Sequence, residues 1–170
     1  MSSLRVDVAD AADLDDLVRL ETSLFAEDAG AHDALVDVGW PEQHARADFI
    51  RLMKNEAALV LVARYDGSAA GHLVGYVGAP SPTRFGRRTA EIRSLYVDEP
   101  VRSSGIGQLL VRDFITWART QSAVAIAVTA YTANRSARAF YEKLGFTEQS
   151  VVLHAALEPG NRTQNVRNGG

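Results

Sequence analysis

A chain of 170 residues that is 46% apolar suits a single domain with its own core, and its lack of cysteine excludes disulfides, thiolate metal sites and an acyl-cysteine intermediate. The net charge of −3 divides unevenly: residues 1–42 carry eleven carboxylates against Arg5 and Arg19, a net of −9, which leaves +6 on residues 43–170. A basic portion can meet an anionic cofactor and an acidic one a cation, while the scattered basic residues, without interleaved aromatics, argue against nucleic-acid binding.

Residues 4–8 alternate and predict a first strand, after which Asp10 caps a helix that places Leu14, Leu17, Val18, Leu24 and Phe25 on one face and ends near Ala26. Residues 27–39 lack clean periodicity and contain Gly30 and Gly39, which reads as a loop or frayed helix. Trp40-Pro41 opens another helix, with Ala45, Phe49, Leu52 and Met53 at helical spacing to about Asn55. Residues 58–64 and 71–78 are apolar, β-rich runs joined across Asp66-Gly67, so they pair as antiparallel neighbours. Residues 79–89 form a loop whose Arg84, Arg87 and Arg88 are read as solvating its tip.

Residues 90–97, with Ile92, Leu95, Tyr96 and Val97, predict a strand that Asp98-Glu99-Pro100 ends. Ser103 and Ser104 are candidate N-caps, and Ile106, Leu109, Leu110, Phe114 and Trp117 then recur at helical spacing to about Arg119. Residues 124–131 are a nearly continuous apolar run, expected of a strand buried on both faces. Thr132 or Asn134 caps the next helix, Gly145 closes it, and residues 146–157 return in extended form. Residues 158–170 read as a polar tail, leaving 1–157 as the domain. No apolar run approaches the ~18 residues of a membrane span, and no secretory signal opens the chain, so a cytoplasmic protein is expected. His32, His44, His72 and His154 lack the paired spacing of a metal site and are read as structural or surface residues.

The functional signal lies between Glu91 and Gly107. Glycines at a helix start let a ligand approach backbone N–H groups that have no partner within the helix, and Arg102 stands beside them, so this end is a candidate anion site. A dinucleotide fingerprint would need glycine where Leu110 stands, and a P-loop would need a glycine before lysine, which the chain nowhere has.

Arg102-Ser103-Ser104-Gly105-Ile106-Gly107, directly after a strand ending Leu95-Tyr96-Val97, resembles the diphosphate loop of the GNAT superfamily of acetyl-CoA-dependent N-acetyltransferases. A second block, from Asn134 through Ala137 and Tyr141 to Gly145-Phe146, looks like the family's Asn-x-x-Ala-x-x-x-Tyr-x-x-x-Gly-Phe element. The resemblance is sharp over residues 89–147. It implies a single α/β domain whose mixed central sheet, flanked by helices, has central parallel strands that splay to admit acetyl-CoA. It also implies a diphosphate held by Arg102, Ser103, Ser104, Gly105, Ile106 and Gly107, backbone contacts from Leu95, Tyr96 and Val97, and Asn134 near the pantetheine arm. No metal is implied.

Neutralising an amine of pKa about 10.4 at pH 7 costs about 4.6 kcal/mol, so attack on an acyl carbonyl calls for a base. By the resemblance Glu91 is that base and Tyr141 the acid that meets the departing thiolate. The expected reaction is acetyl transfer to a primary amine of a small molecule or peptide in a ternary complex, by a monomer or homodimer. Glu21, Glu27, Asp28, Asp33 and Asp37, with no Lys or Arg between them, form a candidate negative lip for a cationic acceptor. Two other readings stay open: a non-catalytic acyl-CoA sensor or regulatory module, and an O-acyl or longer-chain acyltransferase.

Overall fold

The computed structural model describes residues 2–155 and 157. Its centre is a five-stranded sheet in chain order: β1 (Leu4–Val8), β2 (Ala58–Tyr65), β3 (Ser68–Val77), β4 (Arg88–Val97) and β5 (Ala123–Val128). The first four are antiparallel, and β4 and β5 run parallel. The β2–β3 turn follows from Asp66 and Gly67, which adopt φ of 49° and 86°, the positive values that a tight hairpin requires.

Alternation along β2 sends Leu59, Leu61 and Ala63 to one face and Val60 and Val62 to the other, so the sheet has two cores. The first packs under α4 (Ile106–Thr120) through Ile106, Leu110, Val111 and Phe114. The second packs under α1 (Leu14–Leu24) and α3 (Arg46–Met53) through Leu14, Leu17, Phe49 and Leu52. Asp10 caps the first turn as its sequence implies, accepting from Ala12 N–H at 2.7 Å. The helical path does not stop near Ala26. It widens into a π turn at Phe25–Ala29 and continues through the short α2 (Gly30–His32). Arg88 is also tied down rather than solvated: its Nε donates to Gly78 O at 3.0 Å.

Two features of β4 set up the site. Arg93 is an extra residue between the pairs Ser94–Val74 and Ile92–Gly75, so the alternation resets and Glu91, Ser94 and Tyr96 all share the face of β3 residues Tyr76, Val74 and His72. Pairing with β5 ends at Ile92–Val128, although β4 continues to Val97. The two parallel strands therefore diverge just past Glu91.

Two expectations at the C-terminal side are corrected. β5 stops at Val128 rather than 131 and is not buried on both faces: Ala123, Ile126 and Val128 join the core under α4, while Val124 is 59% exposed because, among the described residues, no element covers that side. Past α5 (Arg135–Lys143), which ends before Gly145 at φ 89°, residues 147–155 form no strand, and Val151, Val152 and Leu153 are exposed without a ladder partner among the described residues. The expected tail, 158–170, lies outside the described residues. Among the described residues no helix is long and apolar enough to cross a membrane.

Candidate active site

The loop between β4 and α4 is built to leave donors free. After a 3-10 turn at Glu99–Val101 the chain passes through Ser103 at φ 67° and Gly105 at φ 90° before the helix starts at Ile106. Neither serine caps α4, contrary to the sequence expectation. Ser104 Oγ instead donates to Val101 O at 2.6 Å, and the left-handed Gly105 occupies the cap position. The first helical bond runs from Leu109 N–H to Gly105 O at 3.0 Å, so the N–H groups of Ile106, Gly107 and Gln108 precede any helical partner. With the helix dipole behind them, these donors fit an anionic diphosphate.

The two glycines have different reasons to be there. A Cβ at Gly105 would meet nothing within 4 Å, so the residue is needed for its backbone angle alone. A Cβ at Gly107 would lie 3.1 Å from the Phe140 ring, so this glycine lets α5 pack against the start of α4. A groove of about 300 Å³, lined by Leu4, Gly105, Gln108, Leu109 and Arg112, opens beside the loop.

Arg102 is held at the same end. Its Nε donates to Val97 O at 2.9 Å, its guanidinium carbon lies 5.4 Å from the centre of the Tyr96 ring, and its Nη2 pairs with Glu27. Glu27 Oε1 also accepts from the Tyr96 hydroxyl at 2.7 Å. Partial burial works to raise the Glu27 carboxyl, but the bonds from Arg102 and Tyr96 and the Arg102 charge outweigh it and hold the group below its ordinary value.

The next residue, Asp28, reaches the other way and accepts from Asn134 Nδ2 at 2.8 Å. Asn134 also caps α5, accepting from Ala137 N–H at 3.1 Å. Consecutive carboxylates of the π turn thus bind opposite walls of the split, one on the β4 side and one on the α5 side.

At the apex of the split Glu91 is half-buried, and its Oε2 accepts from the Tyr76 hydroxyl at 2.7 Å. That bond, followed by burial and the Glu91 charge, raises the Tyr76 phenol above its ordinary value. Tyr141 stands on α5 with its ring edge-on to Phe140 and Phe146, at centroid distances of 5.1 and 5.4 Å. Burial, with a smaller contribution from the Asp28 carboxylate, pushes its phenol well above the usual value near 10.

The Arg102–Gly107 loop, the Leu95–Val97 stretch of β4 beyond its last pair with β5, and Asn134 therefore border one split, with Glu91 at its closed end and Tyr141 on the α5 side. The structure also corrects the acidic lip. Glu21 is not a member of it but is buried against His72, whose Nε2 lies 2.6 Å from Glu21 Oε2. His72 has no exposed surface, which removes it as a proton acceptor for substrate. Asp28 and Asp33 both act on Tyr131, whose phenol is raised first by burial and then by their charges. Tyr76 was missed because only the β3–β4 register, invisible in a linear reading, sets it opposite Glu91.

A GNAT-family acetyltransferase model matches residues 17–146. An uncharacterised N-acetyltransferase of Methanocaldococcus jannaschii is 35% identical over 66 residues, which are 39% of this chain and 29% of that protein. The chain thus aligns with under a third of that relative's length. Among solved structures, an aminoglycoside N-acetyltransferase in complex with CoA superposes with a TM-score of 0.75 at 17% identity, covering 92% of this chain and 95% of the other. A ribosomal-protein-alanine N-acetyltransferase from Brucella melitensis biovar Abortus gives 0.65 at 21% identity, covering 91% and 100%. At these identities the two structures speak for the fold.

Proposed function

Since this chain belongs to the GNAT acetyltransferase family, we propose that it transfers an acetyl group from acetyl-CoA to a primary amine by direct attack in a ternary complex in the cytoplasm. The observation that carries the reading is the split between β4 and β5, which has the free α4 N-terminus at its open end and Glu91 at its apex. Arg102 and the N–H groups of Ile106, Gly107 and Gln108 hold the diphosphate, and backbone groups of Leu95 to Val97 that face the split hold the pantetheine amides. Acetyl-CoA supplies an activated thioester whose leaving thiolate, with a pKa near 8.5, departs without full protonation.

Glu91 takes the proton of the incoming ammonium, directly or through water. Tyr76 fixes the carboxylate that does so. Tyr141 serves as a hydrogen-bond donor to the sulfur rather than as a full proton donor, because a phenol raised above 10 does not surrender its proton to a weaker base such as a thiolate. Asp28 and Asp33, whose charges converge near Tyr131, favour a cationic acceptor such as a polyamine, an amino sugar or a basic peptide. Release of CoA from acetyl-CoA, measured with and without a panel of amines, tests the reading. Amine-dependent release supports transfer, and CoA binding without release under any amine supports a sensor instead.

A further inference from the structure

The diphosphate reading sets a competition at Arg102. Its guanidinium is anchored on Val97 O through Nε, and the same group pairs through Nη2 with Glu27. A phosphate drawn to the start of α4 meets Arg102 beside a carboxylate, and two anions on one guanidinium repel. Glu27 and Arg102 are equally accessible, each with 44% of its side chain exposed, so separating them strips little protein from either charge. The π turn carrying Glu27 is wider than an α turn, a geometry common at functional sites where a helix changes course.

Glu27 is also well placed to take a cation once released. Its Oε1 sits on the Tyr96 hydroxyl, and Tyr96 lies beyond the split on the same sheet face as Glu91. Its chain neighbour Asp28, which accepts from Asn134 on the facing wall, adds a second carboxylate to the same turn. We propose that Glu27 recognises the cationic group of the acceptor, and that Arg102 masks it until a cofactor phosphate competes for the guanidinium. Glu27 then couples the two sites, so that CoA and a cationic amine each strengthen the binding of the other. This inference rests on the reading that Arg102 and the start of α4 hold the diphosphate.

Calorimetry on the whole chain tests it without turnover. Exposed ion pairs are weak, so Glu27→Gln is expected to bind CoA about two- to fivefold more tightly than wild type. Coupling is reciprocal, so wild-type protein saturated with CoA is expected to bind putrescine tighter by a similar factor than protein alone. 1,4-Butanediol, which carries no ammonium, is expected to gain nothing, and Glu27→Gln to lose the gain for putrescine. Arg102→Ala separates the two layers. If it binds CoA as wild type does, the diphosphate reading fails. If it weakens CoA binding while Glu27→Gln fails to tighten it, or putrescine gains nothing from CoA in wild type, the masking of Glu27 is overturned and the diphosphate reading stands.

Discussion

Tyr76 and Glu91 stand opposite each other in the β3–β4 register, and the phenol donates to Glu91 Oε2 at 2.7 Å just before β4 and β5 diverge. The bond holds a carboxylate where an amine entering the split would arrive. Glu91→Gln keeps the shape and removes the proton acceptor, so kcat/KM at pH 7 is expected to fall by about 10²–10⁴, with partial recovery at high pH where more amine is neutral. Tyr76→Phe leaves the carboxylate in place and removes its anchor. A loss on the order of tenfold with unchanged CoA affinity is expected, and wild-type rates in Glu91→Gln would move the base elsewhere.

The glycines of the α4 loop predict separable defects. Gly105→Ala has room for its methyl but must hold φ near 90°, a cost of about 1–2 kcal/mol. A folded protein with weaker CoA binding is expected. Gly107→Val instead drives a side chain into Phe140, so thermal denaturation is expected to show loss of stability along with loss of CoA binding. Equal stability in the two variants would contradict the packing of α5 on α4.

Tyr141 carries a pH prediction. Its raised phenol favours the protonated form in the folded state, so this contribution to stability is complete below pH about 10 and is lost as pH climbs toward the folded value. Tyr141→Phe is expected to flatten that alkaline loss and to lower kcat less than Glu91→Gln does. An alkaline limb in the rate profile that disappears in Tyr141→Phe and starts below pH 9 would show a phenol that titrates freely.

What the linear chain disclosed was local. β1, the Asp66-Gly67 hairpin and the apolar stripe of α4 depend on neighbours a few residues away, and the Arg102–Gly107 and Asn134–Phe146 blocks carry their own spacing. Features made by distant residues stayed hidden. The Arg93 bulge exists only against β3, and the strap of Glu27 and Asp28 needs both walls of the split. The apolar run 124–131 misled because a strand with one packed face and an uncovered side can have the same composition as one buried on both.

Glu21 and His72 form the other pair that no spacing announced, and they supply the last prediction. Burial works to raise the Glu21 carboxyl, yet the hydrogen bond and charge of His72, the charge of Arg93 and the Ser94 hydroxyl outweigh it, so the carboxyl sits below its ordinary 4.5. The folded state therefore favours the ionised acid. This stability is present above pH about 4.5 and is lost as pH falls through the folded value. Ser94 Oγ and Glu21 Oε2 both approach the same nitrogen, His72 Nε2, at 3.5 and 2.6 Å. The three cannot relay a proton from serine through opposite sides of the ring, which leaves them a structural clamp between α1 and the sheet. Removing one member strands a buried polar partner, so Glu21→Ala or His72→Ala is expected to cost about 3–5 kcal/mol, or roughly 10 °C in Tm for a domain of this size. Replacing both together with apolar residues of similar volume, Glu21→Met with His72→Leu, is expected to cost much less than the sum and to reduce the acid-induced loss near pH 4, leaving the part that Glu27 and Asp48 contribute. Chemical denaturation of the four proteins at pH 7 and pH 4 measures both effects. Additive costs at pH 7, or an unchanged acid limb in the double variant, would show that the pair does not act as a unit.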